Sequence, residues 1–355
     1  MTTYLLGAGA SAECVPVVEY FRSTFRNIVN IGALVNGVKN AGFIDEIENL
    51  KLSFATYYSI IRQHPTIDIF AKKLYVKNNK TTRRELRLLK QKLVLYFNFL
   101  QYSRPIDDRY TKFFASIIAP KQKFILPKDI NIITWNYDFQ LELAVSDFLI
   151  PKDKNINNIQ RLLKIYPCPY HQVEFDDYNK DFTVTKLNGS AFITEGKESK
   201  LTTYFNPTKI NYIQDVKDLK NQKDWLLDNE VIEILNEYEN KANEEIMEDS
   251  LIPVYYNDLT FAWEAGDRQS ITIERAKKVV AETEELVIIG YSFPYVNRVI
   301  DKDLIGSMLS LKNVFIQDPY INEKRFNLIK RRIHEFNNNE PDVEHIDDAQ
   351  EFYIP

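Results

Sequence analysis

Five short stretches carry the residues best suited to chemistry, and each follows an apolar run. The first is Gly7-Ala8-Gly9-Ala10-Ser11, after the run at 4–6. A small-residue turn between a strand and a helix lets backbone N–H groups approach a phosphate, and a helix N-terminus adds a favourable dipole. Ser11 suits either a phosphate oxygen or a helix cap, and two glycines also suit a plain tight turn. The second is Thr134-Trp135-Asn136-Tyr137-Asp138. Asn136 and Asp138 fit helix capping, and they equally fit orienting a sugar and a water. The third is Lys186-Leu187-Asn188-Gly189-Ser190, which also reads as an Asn-Gly turn. The fourth is Gly290-Tyr291-Ser292-Phe293-Pro294, where proline suits the start of a helix. The last is Asp318, placed where a carboxylate can bond a ribose hydroxyl or simply shape the turn before Pro319.

These stretches need elements to hold them. The β-branched run at 130–135 reads as a buried strand, as do the runs at 183–187, at 285–289 and before Asp318. Residues 18–119 read as helical, with apolar residues at three-and-four spacing, and form an insertion between the first two motifs. Within it, residues 77–92 are densely basic, which fits a solvated helix face or a partner or nucleic-acid contact. Residues 155–180 read as a loop or lid, and residues 217–249 as an exposed helical insertion. Buried strands alternating with helices predict an α/β fold: a doubly wound, mostly parallel, Rossmann-like sheet over 1–355 with a large helical insertion. In such sheets ligands sit beyond the carboxyl ends of the strands, where all five stretches fall.

The 355 residues include 45% hydrophobic and 27% charged side chains, with a formal net charge of −5. That balance gives no indication of nucleic-acid binding. The two cysteines, Cys14 and Cys168, are too few for a disulfide framework or a four-cysteine zinc site. They fit a reducing cytoplasm. No apolar run approaches the ~18 residues of a membrane span, and no secretory signal is expected. Of the four histidines, His64, His334 and His345 fall in helical or tail segments, while His171 lies in the loop before Asn188.

The order of the motifs, GAGAS, TxNxD, KL-His-GS and GYSxP, resembles the bacterial sirtuin-like family associated with phage defence. Members of that family are NAD hydrolases that deplete NAD in infected cells. The resemblance implies that Gly7, Ala8, Gly9, Ala10 and Ser11 meet the NAD phosphates, that Thr134 belongs to the cofactor-binding set, and that Asn136 is the catalytic asparagine near the nicotinamide ribose with Asp138 in support. It puts Gly189 and Ser190 in the same site, and Gly290, Ser292 and Asp318 near the adenosine half. It also implies homo-oligomers and a partner such as a HerA-type ATPase. The departure is Asn188, where the family carries its catalytic histidine. An amide cannot take a proton, and loss of a general base costs typically about 10²–10⁴ in rate. Three readings stay open: an engineered inactive form of an NAD hydrolase, a natural low-activity or binding-only member such as an NAD-binding scaffold or sensor subunit, and substitution of the base by His171. An ordinary zinc-ribbon deacylase is disfavoured by the cysteine count.

Overall fold

The computed structural model describes residues 1–15, 44–64, 66–103, 106–119, 124–150, 156–167, 181–191, 193–197, 200–203, 233, 235–240, 255–257, 259–264 and 266–355. Its strands are β1 (Thr2–Leu6), β2 (Ile130–Thr134), β3 (Ile165–Tyr166), β4 (Thr183–Lys186), β5 (Ile193–Lys197), β6 (Lys200–Thr203), β7 (Tyr255–Asn257), β8 (Glu285–Ile289), β9 (Asn313–Gln317) and β10 (Asp342–Ile346). Its helices are α1 (Ile44–Ile61), α2 (Ile67–Lys77), α3 (Lys80–Ser103), α4 (Asp108–Ile117), α5 (Gln140–Ser146), α6 (Ile156–Leu162), α7 (Asp267–Val280), α8 (Arg298–Gly306) and α9 (Glu323–Phe336). The chain forms two compact units. One comprises Met1–Ala12, Ile106–Ser190 and Thr260–Pro355; the other comprises Glu13–Pro105 and Ala191–Leu259.

The first unit is built on a seven-stranded sheet in the order β10-β9-β8-β1-β2-β4-β3. Every pairing in it is parallel. Parallel strands covered on both faces read as continuous apolar runs, and β1 and β2 do so: all of β2 is buried. Alternate residues of β1 feed two cores. Leu5 joins Ile133, Val279, Ile288 and Ile333 on one face. Tyr4 and Leu6 join Phe113, Leu141 and Val184 on the other. The chain builds β2, β4 and β3 on one side of β1, then returns to add β8, β9 and β10 on the other. This is the expected doubly wound α/β arrangement, and its direction reverses between β1 and β8.

The second unit contains α1, α2 and α3 and the antiparallel sheet β6-β5-β7. Thr66 caps α2 by accepting from Ile69 N, and Asn78 ends it in the left-handed conformation. The expected insertion 18–119 thus contributes to both units, because α4 belongs to the first. Its residues 18–43 lie outside the described residues.

Several expectations change. The glycine turn runs into a four-residue 3-10 turn, Ala8–Ser11, and the start of the helical stretch expected from 18 lies outside the described residues. The stretch read as a loop from 155 to 180 begins with α6 and β3; its remainder, with Cys168 and His171, lies outside the described residues. Of 217–249, only 233 and 235–240 are described, and they are helical. His345 stands on β10, and its Nε2 donates to Asp318 O at 3.0 Å. The run 77–92 is only partly solvated: Arg83 and Arg87 are exposed, whereas Lys92 is buried.

Candidate functional site

All five motifs stand at the carboxyl edge of the one parallel sheet, each at the end of β1, β2, β4, β8 or β9. Parallel register makes this so: Leu6 pairs with both Thr134 and Ile289, so the turns that follow start at one level.

The turns after β1 and β8 are locked together. Gly7 N donates to Ile289 O and Gly9 N to Gly290 O, at 2.9 and 3.0 Å. A Cβ on Gly9 would stand 2.6 Å from Gly290 Cα, and one on Gly290 would stand 2.3 Å from Gly9 Cα. Gly290 also has φ +58°. The glycines are therefore required by backbone-to-backbone approach within the protein. Arg109, held by Asp107 through two hydrogen bonds, donates to the carbonyls of Gly9 and Ala10 from the other side. Ala10 is fully buried. Among the turn's amides, that of Ala8 has no partner among the described residues.

Ser11 does not face outward, and this corrects its expected part as a phosphate ligand. Its hydroxyl is 2.9 Å from Tyr110 Oη and accepts from Asn136 Nδ2 at 3.3 Å, and it helps hold the nearby Asp138 carboxyl down. Its one polar side-chain atom is therefore engaged within the protein.

Asn136 is anchored by its nitrogen. Nδ2 donates to Gly7 O at 3.0 Å, and the backbone N bonds Thr134 Oγ1 at 3.0 Å. A carbonyl only accepts, so the amide orientation is forced. Its Oδ1 has no partner among the described residues. Asp138 stands just ahead of α5, whose N-cap is Phe139, and its Oδ1 accepts from Gln140 N at 3.2 Å. Burial pushes its carboxyl up to about 6, against the downward pull of Lys186 and the Ser11 hydrogen bond.

Asn188 behaves differently. Its Nδ2 donates to Trp135 O at 3.0 Å, and its Oδ1 accepts from Ala262 N at 2.9 Å. Its own carbonyl accepts from Thr260 N. The side chain is a clamp joining the ends of β2 and β4 to the segment before α7. Gly189 makes the following turn at φ 68°, and Ser190 is buried.

Sequence reading missed Lys186. Only 1% exposed, it donates to Glu142 Oε1 at 2.6 Å, to Asp138 O at 2.8 Å and to Ser190 Oγ at 3.3 Å. It ties the loops after β2 and β4 together. A lysine inside an otherwise buried strand was the available signal. Tyr110 and Arg109 had no such signal, since only the fold carries α4 to the glycine turn. At the β8 end, Tyr291 stacks on Trp135 with centroids 5.7 Å apart and donates to both oxygens of buried Asp301. Ser292 is exposed. Asp318 accepts from Tyr320 N at 3.0 Å through Oδ1, the turn-shaping part; its Oδ2 has no partner among the described residues. No group of metal-ligating side chains occurs among the described residues.

No protein-family model and no curated protein matches the chain. Among solved structures, it is similar to one described as "Structure of Sir2Tm bound to a propionylated peptide". The match covers 98% of this chain and 87% of that one, at 11% identity and a TM-score of 0.35. A likeness so slight transfers no residue roles, and the fold rests on the strand order itself.

Proposed function

We propose that the carboxyl edge of the sheet binds NAD and cleaves its nicotinamide–ribose bond slowly, as an NAD glycohydrolase of the phage-defence kind. The observation that carries this reading is Asn136. Its amide is fixed through nitrogen at the end of β2, one strand from the reversal point and bonded to the turn after β1, and its oxygen is left unspent. The residues fit a dinucleotide as far as unspent groups go: Ala8 N–H for a phosphate oxygen, Asn136 Oδ1 for a ribose hydroxyl or the attacking water, and Ser292 and Asp318 for the second half. The glycines contribute closeness of the two turns, and a four-residue turn adds little dipole.

In the reaction, the C–N bond breaks with both electrons leaving on the nicotinamide nitrogen, which becomes neutral. Water adds to the ribose carbon and loses a proton, giving ADP-ribose. The leaving group is cationic and needs little acid catalysis, so orientation and a placed water carry the rate. Asp138 supports Asn136 through Ser11 as a positioning residue. Both ends of the Asn188 amide are tied to the backbone, and an amide cannot act as a base, which favours low turnover and makes an NAD-binding scaffold or sensor subunit the second reading. The motif resemblance further supports a cytoplasmic homo-oligomer working with a HerA-type ATPase.

The test is NAD affinity by calorimetry, and NAD consumption, for the protein as it stands, Asn136→Ala and Asn188→His, alone and with the ATPase. Binding that Asn136→Ala abolishes supports the site. Consumption rising ~10²-fold or more in Asn188→His identifies a missing base. Absence of binding by every form sinks the reading.

A further inference from the structure

The second unit contains a cavity of about 630 Å³. That is far more than the few water-sized voids a packed interior leaves, and it lies in the range of small-molecule sites. Its walls include Leu52, Tyr57, Phe70 and Leu88. At its lip Leu52 is 67% exposed and Ile60 37%.

One group in the lining is a nearly buried ammonium. Lys92, 7% exposed, pairs with Glu239, which is 4% exposed and also accepts from Ser53 Oγ at 2.8 Å. An ammonium has three donors, and Glu239 is the one partner of Lys92 among the described residues. The other two N–H groups are left for whatever enters the cavity that Lys92 lines. Desolvation by burial pushes the ammonium down, and Glu239 pushes it up.

The charges around the cavity select the ligand. Lys92 is balanced by Glu239, and Glu85 at the lining adds a further negative charge. A phosphate or nucleotide meets net repulsion there, and a cation meets Lys92. An uncharged molecule with an apolar, ring-sized body and one carbonyl or ring-nitrogen acceptor meets neither. It covers Leu52 and Ile60 and takes the spare donors.

We propose that this cavity is a binding site for a neutral, largely apolar small molecule whose single hydrogen-bond acceptor is met by Lys92. The site lies within the second unit, and the proposal does not rest on the NAD reading.

The test uses three fluorescent probes on the full chain. Prodan is neutral and carries a ketone, N-phenyl-1-naphthylamine is neutral without a carbonyl, and 8-anilinonaphthalene-1-sulfonate is an anion. The expected result is one saturable prodan site with a blue-shifted emission, tighter than the sulfonate. Filling the cavity by Leu88→Trp weakens prodan by ~10-fold or more. Lys92→Met with Glu239→Gln, which leaves no lone buried charge, weakens prodan similarly and leaves the carbonyl-free probe unchanged. Circular dichroism establishes that each variant is folded; where Leu88→Trp is not, Ile60→Trp at the lip takes its place. No saturable prodan binding, binding indifferent to the filling tryptophan, equal loss of both neutral probes in the Lys92 variant, or tighter binding of the sulfonate would each overturn the proposal.

Discussion

Asn136 and Asn188 stand at the ends of neighbouring parallel strands, β2 and β4, and are equally buried at 8% exposure. One spends only its nitrogen and keeps an oxygen; the other spends both ends and its backbone carbonyl as well. Residue type and place are therefore poor guides to role. What separates a group that can meet a ligand from one that holds the fold is whether every polar atom of its side chain already has a protein partner. By that measure Ser11 and Asn188 are structural, and Asn136, Ser292 and Asp318 are available.

The contrast can be broken most severely at the frame both asparagines depend on. Gly290→Ala forces a left-handed φ and a Cβ 2.3 Å from Gly9 Cα. The loss expected is above about 4 kcal/mol, read as failure to fold or a collapse in denaturant midpoint. A near-normal midpoint would show that the two turns separate freely.

Next comes the clamp. Asn188→Ala strands Trp135 O and Ala262 N, and at ~1–3 kcal/mol for each buried group the expected loss is about 2–6 kcal/mol by urea unfolding. Asn136→Ala leaves Gly7 O still accepting from Ala10 N, so about 1 kcal/mol is expected, with NAD binding lost instead. Equal losses of stability in the two variants would erase the distinction drawn here.

The smallest effect sharpens the contrast by pH. The Asp138 carboxyl is raised to about 6, above its unfolded value near 4. A buried carboxyl with a raised value favours the folded state when protonated. Its contribution is therefore present below about pH 4 and is lost as pH rises through about 6, with a slope of at most ~1.4 kcal/mol per pH unit. Asp138→Asn should flatten that stretch of the Tm profile. Asn188, which touches no titrating group among the described residues, should leave it unchanged. A profile in Asp138→Asn as steep as that of the parent would assign the slope elsewhere.

The strand ends were legible because an apolar run followed by glycine, asparagine or aspartate marks both a buried parallel strand and its exit. The place of Asn136 could be read for the same reason. The saturation of Asn188 could not, because its partner at Ala262 lies 74 positions away and carries no motif. Lys92 was hidden in a basic run whose helical spacing suggests solvent, since only the packing of the second unit brings Glu239 against it. The strands β5 to β7 were not anticipated. In β5, Ile193-Thr-Glu-Gly-Lys197, polar residues and a glycine outweigh the single isoleucine.

The register of β1 has a consequence for how the protein is made. Thr2 pairs with Ile130 on one side and with Glu285 on the other. At the ~5–20 residues per second of synthesis, the central strand emerges on the order of ten seconds or more before its first neighbour and longer still before its second. Contacts this distant along the chain also slow folding once synthesis ends. During that interval β1 is an apolar segment with two bare edges, the kind of segment that chaperones shield and that aggregates when they do not.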